Sequence, residues 1–160
     1  MIVREAFPAD AATMTGVLNA IIRIGGTTAH QVEKTEAQVL ADCISGPEAL
    51  CCFVAEDAGA VIGFQGMGVY PALANGWGEI GTFVRPGVQR GGVGAALFAA
   101  TVDWARSNGI RHIEATIRGD NAVGLGFYSR RGFVDIGFNP DYALKDGRVV
   151  GRVTKRFDVV

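Results

Sequence analysis

Gln89-Arg90-Gly91-Gly92-Val93-Gly94-Ala95 joins a strand-like run, residues 77–84, to the clearest helical pattern in the chain, residues 91–108. Along that pattern Val93, Leu97, Ala100 and Trp104 fall on one stripe, and Gly109 supplies the stop. Glycines between a strand and a helix let backbone N–H groups approach an anion with no Cβ in the way. The helix N-terminus adds unsatisfied donors and a partial positive charge, which together make a seat for a pyrophosphate. The same glycines would equally serve a tight turn that needs them only for its torsions.

Three nucleotide-binding patterns compete for this stretch. The phosphate loop of nucleoside triphosphatases requires Lys-Ser/Thr after the glycines, and none follows. A dinucleotide fingerprint requires a third small residue where Leu97 stands. Glu114 lies near the offset of a ribose-binding acid, but too little chain remains after it for a second mononucleotide-binding half. The third pattern is Gln89-x-x-Gly92-x-Gly94, and it fits.

Outward from the loop, strands and helices alternate. Residues 2–5, 50–56, 60–69, 77–84, 113–117, 133–138 and 149–157 read as strands. Asp57-Ala58-Gly59 is the turn of a hairpin. Pro8 and Asp10 open a first helix with Met14, Val17, Leu18, Ile21 and Ile22 on its apolar face, and Gly25-Gly26 ends it. Thr35 and Gln38 have capping-box spacing at the start of a second helix, which Gly46-Pro47 stops. Asn121 caps a short helix ending at Gly132.

The chain has 160 residues, one domain's worth at ~100–150 residues per domain, and no linker divides it. Hydrophobic residues make up 49 % and charged ones 19 %, which excludes disorder. Fifteen Lys+Arg against sixteen Asp+Glu leave a net charge of −1, so charge gives no reason to seek nucleic acid or an anionic membrane. No apolar run approaches the ~20 residues of a spanning helix, and the start shows no signal-peptide pattern. Cys43, Cys51 and Cys52 suit neither a disulfide framework nor zinc. With only His30 and His112 to add, they read as buried thiols in a reducing cytosol, and no metal is expected.

The loop resembles the signature of the GCN5-related N-acetyltransferase (GNAT) superfamily, which cradles the pyrophosphate of acetyl-coenzyme A. Ile80-Gly-Thr-Phe-Val84-Arg-Pro86 is similar to the family's fourth strand and the bend that follows. Asn121-Ala-Val-Gly-Leu-Gly-Phe127-Tyr128-Ser-Arg-Arg-Gly132-Phe133 is similar to its second signature. The resemblance is strong over residues 50–138 and looser at the ends. It implies a single N-acetyltransferase domain over residues 1–160 with an α+β fold. The sheet would be mixed and mostly antiparallel, of six to seven strands flanked by about four helices, with strands four and five parallel and splayed at one end. Acetyl-CoA would enter as co-substrate. Its pantetheine arm would lie in the splay against the main chain of Phe83 and Val84 and against Asn121, and its phosphates would lie on Gln89, Arg90, Gly91, Gly92, Val93, Gly94 and Ala95.

Acetyl transfer from a thioester needs a neutral amine, a polarised carbonyl and a proton for the departing thiolate. The resemblance gives the proton to Tyr128, whose alternative role is an amphipathic core residue. Glu79 is the candidate base, against a solvated or ion-paired strand residue. Arg130 and Arg131 read as solvated helix residues and His112 as a surface histidine. Asn19, Thr27-Thr28-Ala29 and Asp146-Gly147-Arg148 partly resemble the phosphinothricin and methionine sulfoximine acetyltransferases, which implies a small primary amine as acceptor. Thr27, Thr28 and Trp77 are then the candidate substrate contacts. A protein N-terminal acetyltransferase and a non-catalytic acyl-CoA sensor stay as alternatives, and a homodimer stays open.

Overall fold

The computed structural model describes residues 1–88 and 91–160. The chain opens with β1 (Ile2–Glu5), a 3-10 turn (Pro8–Asp10) and α1 (Ala11–Ile24). Asp10 ties the turn back to β1 by accepting two guanidinium N–H bonds from Arg4, at 2.9 and 3.0 Å. The α1 helix buries the expected Met14, Val17, Leu18 and Ile21. It stops where Gly25 and Gly26 take φ of 74° and 88°, torsions that a β-carbon disfavours. The capping box at Thr35 is present, with Gln38 N–H bonded to Thr35 Oγ1 at 3.2 Å and Thr35 N–H to Gln38 Oε1 at 2.9 Å. The second helix is shorter than expected. Regular α2 (Glu36–Leu40) widens into a π turn (Ala41–Ser45), where Gly46 N–H reaches back to the Ala41 carbonyl.

The remaining elements are β2 (Ala49–Asp57), β3 (Ala60–Gly68), β4 (Trp77–Val84), α3 (Val93–Ser107), β5 (His112–Arg118), α4 (Ala122–Arg130), β6 (Val134–Asn139) and β7 (Arg152–Asp158). Helix α3 begins two residues later than its pattern predicts, because Gly92 has φ 85° and is the cap rather than a helical residue. The last strand begins at Arg152 instead of 149. Gly151 at φ 70° breaks the extension, and Val149 pairs only with Ala143.

Among the described residues seven strands form one sheet in the order β1-β2-β3-β4-β5-β7-β6, and β4/β5 is its only parallel pair. The mixed α+β architecture expected from the resemblance is therefore present. One face packs on α3 and α4 through Phe53, Met67, Ile80, Ile113 and Ile117 against Leu97, Phe98 and Phe133. The other face packs Val54 and Phe64 under α1 and Val39. Each such fully buried side chain contributes roughly 1.5–3 kcal/mol. Among the described residues no helix is long and apolar enough to cross a membrane.

Candidate active site

The β4/β5 ladder is short. Trp77, Gly78 and Glu79 pair with His112, Ile113 and Glu114, and beyond them the two strands share no register while both continue. The strands have splayed. Hydrogen-bond parity decides what faces the gap. Arg85 N–H bonds the Ile62 carbonyl at 2.8 Å, and antiparallel bonding repeats every second residue. Gly81 and Phe83 thus turn their main chain to β3, whereas Thr82 and Val84 turn theirs toward the gap. Of the two residues expected to offer main-chain bonds, Val84 is placed to do so. Phe83 instead packs its ring on Phe64, with centroids 4.9 Å apart.

Tyr128, on α4, reaches the gap from the α3 side. Its ring is buried against Phe127 and Phe133. Its Oη lies 3.0 Å from Thr82 Oγ1, and the Thr82 main-chain N–H is turned toward the same gap. Burial raises the phenol and Thr82 opposes the rise, leaving it at about 12. The Thr82 hydroxyl also accepts from Gln65 Nε2 at 2.7 Å.

Glu79 stands three residues before Thr82, so its side chain emerges on the opposite face. There it meets the Glu114 carboxyl across the parallel pair. Burial first, and then Glu114, hold the Glu79 carboxyl above its ordinary range. Tyr70 donates its hydroxyl to Glu114 Oε1 at 2.7 Å, and Arg152 opposes the rise. A carboxyl so raised is a stronger base than an ordinary one. Neither Tyr70 nor Glu114 was legible as a site residue, since only the strand register brings them to Glu79.

At the start of α3, a β-carbon added at Gly91 or Gly92 would meet nothing within 4 Å, so space stands open above both. Gly94 is small for another reason. A β-carbon there would come within 2.8 Å of the Phe127 ring. Val93 is buried in the core beneath the loop, and Ala95 begins the helix body. Gln89 and Arg90 lie outside the described residues. Arg131 is not the solvated residue expected, because its guanidinium packs over the Phe127 ring at 5.1 Å.

Asn121 caps α4 through Oδ1, which accepts Gly124 N–H at 2.9 Å, and its Nδ2 donates to the Thr27 carbonyl at 3.1 Å. Arg118 donates to the Thr28 carbonyl at 3.2 Å, and Asp120 neutralises it through bonds at 2.9 and 2.7 Å. These contacts strap the loop after α1 across the far end of β5. Thr27 and Thr28 thus serve through their carbonyls. The Thr28 hydroxyl is already bonded by His30 N–H. Below the strap is a cleft of about 280 Å³ lined by Ile22, His30, Gln31, Arg118, Leu144 and Arg148. His30 was missed as a lining residue. Trp77 does not reach this cleft; it packs on His112 at 4.7 Å, at the closed end of the splay.

Residues 19–133 match the acetyltransferase (GNAT) family. Mycothiol acetyltransferase of Amycolatopsis mediterranei is 37 % identical over 87 residues, 51 % of this chain and 29 % of that protein. The chain therefore spans less than a third of the length of that relative. L-methionine sulfoximine/L-methionine sulfone acetyltransferase of Pseudomonas aeruginosa is 27 % identical over 152 residues, 91 % of this chain and 87 % of that one. A GNAT phosphinothricin acetyltransferase from Sinorhizobium meliloti, solved with acetyl-CoA, has the same fold, with a TM-score of 0.87 at 23 % identity over 99 % of this chain and 88 % of that one. The matched segment runs from α1 to the end of α4 and contains the glycine loop, the splay and Tyr128. By that match and by its fold, the chain belongs to the acetyltransferase (GNAT) family.

Proposed function

We propose that this chain is an acetyl-CoA-dependent N-acetyltransferase acting directly, in a ternary complex, on the primary amine of a small molecule such as an amino acid or its analogue. The observation that carries the reading is the Tyr128 hydroxyl, lodged at Thr82 in the wall of the splay, with open space over Gly91 and Gly92 at the start of α3. That space fits a phosphate-bearing tail at a helix N-terminus, and the outward-facing main chain of Val84 fits an amide-bearing arm. Acetyl-CoA, when bound, supplies the activated thioester. Gly91, Gly92 and the N-terminal amides of α3 hold its phosphates, and Tyr128 gives a proton to the sulfur.

The acceptor would come from the opposite face, where Glu79 and the strapped cleft lie. Glu79 takes the ammonium proton through water, since about 10 Å of strand separates it from Thr82. The small acceptor is supported by the size of the cleft and by the Pseudomonas relative matched along most of its length. Its near-neutral lining, with Arg118 and Arg148 each bonded to an aspartate, does not call for a polycationic acceptor. Thiol release with a panel of amines tests the reading. Amine-dependent thiol from amino acids is the expected outcome. Thiol released only with peptides would assign a protein N-terminal acetyltransferase, and coenzyme A binding without release would assign a sensor.

If Glu79 is the base, the rate has an acid limb at its pKa. Glu114→Gln removes the neighbouring negative charge, so the Glu79 carboxyl should fall toward its ordinary range. The acid limb of kcat/KM should then move to lower pH, though not all the way, because burial persists. A limb that stays in place would take the base role from Glu79.

A further inference from the structure

Gln65 faces Thr82 in the β3/β4 register and is wholly buried. Its Nε2 donates to the Thr82 hydroxyl oxygen at 2.7 Å, and its Oε1 has no partner among the described residues. A hydroxyl that accepts an N–H keeps its own hydrogen to give, and Tyr128 Oη is 3.0 Å away. The Thr82 main-chain N–H is turned toward the gap between β4 and β5. When Thr82 gives its hydrogen to Oη, the phenol's own hydrogen is free to turn into the same gap. A buried amide carrying an orphaned oxygen costs stability, and it persists here at the residue that fixes this orientation.

We propose that Thr82, fixed by Gln65, is a positioning residue that aims the Tyr128 proton into the splay and holds the phenolate once that proton has gone. The inference rests on Tyr128 being the proton donor. The neutral amine nitrogen bonds the acetyl carbon and the carbon–sulfur bond breaks; that bond's electron pair stays on sulfur and takes the Tyr128 proton. The charge left on Oη is stabilised by the Thr82 hydroxyl, and the proton the amine nitrogen loses passes to water, from which Tyr128 is reprotonated between turnovers. Burial makes the phenol a weaker acid than it is in water, and Thr82 opposes that effect.

Thr82→Val keeps the branched shape and removes the hydroxyl. Loss of a hydrogen bond to a developing charge predicts a kcat roughly tenfold lower with KM for acetyl-CoA unchanged. Thr82→Ser should restore most of it. In the Tyr128→Phe background the same Thr82→Val change should cost nothing further, whereas a merely structural role would cost the same in both. Equal losses in both backgrounds, or a Thr82→Val enzyme as fast as wild type, overturn the proposal. Tyr128→Phe at the wild-type rate is a different failure, because it removes the proton donor itself.

Discussion

Tyr128→Phe should lower turnover by roughly 10²–10⁴-fold, the usual worth of general acid catalysis. The ring packs edge-on against Phe127 and Phe133 and would stay in place, since the substitution deletes only an oxygen. Affinity for acetyl-CoA should therefore stay near wild type, and the thermal midpoint should fall only by what the Thr82 bond contributes, about 1 kcal/mol. An acyl donor with a more acidic leaving thiol should narrow the rate loss, because that thiolate departs without help. Steady-state kinetics against two such donors reads both effects. Full activity in the variant would hand the proton to water, and a variant that fails to fold would make Tyr128 a packing residue.

The second large effect lies at the other end of the gap. Gly91→Asp should cut coenzyme A affinity on the order of a hundredfold. Two unit charges ~5 Å apart in an effective dielectric of ~20 repel by about 3 kcal/mol. Gly92 looks the more obvious target, but at φ 85° any side chain there also strains the start of α3. Gly91 has neither a left-handed torsion nor a neighbour within 4 Å, so Gly91→Ala should bind nearly as wild type and isolate the charge effect. Calorimetry on the pair decides. Equal affinities for Ala and Asp would place the phosphates elsewhere.

The order of elements was legible because each periodic run was bounded by turn residues. Residues 77–84 were read to the residue. Boundaries slipped where a glycine torsion was decisive, at Gly92 and Gly151, since a sequence shows a glycine but not its φ. The stripe of α3 was read too narrowly. Phe98, Thr101 and Ala105 are buried beside the expected Val93 and Leu97, because the helix packs across β1, β2, β3 and β4 and a wider face of it is covered. Tyr128 and the glycines stood out by local pattern. Thr82, Gln65, Glu114 and Tyr70 did not, because their roles exist only through register between strands distant in sequence.

The short parallel ladder has a mechanical meaning. The β3/β4 pair shares six register positions and β5/β7 seven, but β4/β5 shares three. The sheet is two stiff ribbons joined by a narrow seam, and shear or bending concentrates there. A molecule lying in the gap and bonding both ribbons would stand in for the missing ladder, as an added strand would. The stiffness of the whole sheet then depends on occupancy, and the protein is at its most rigid only while it holds what it works on.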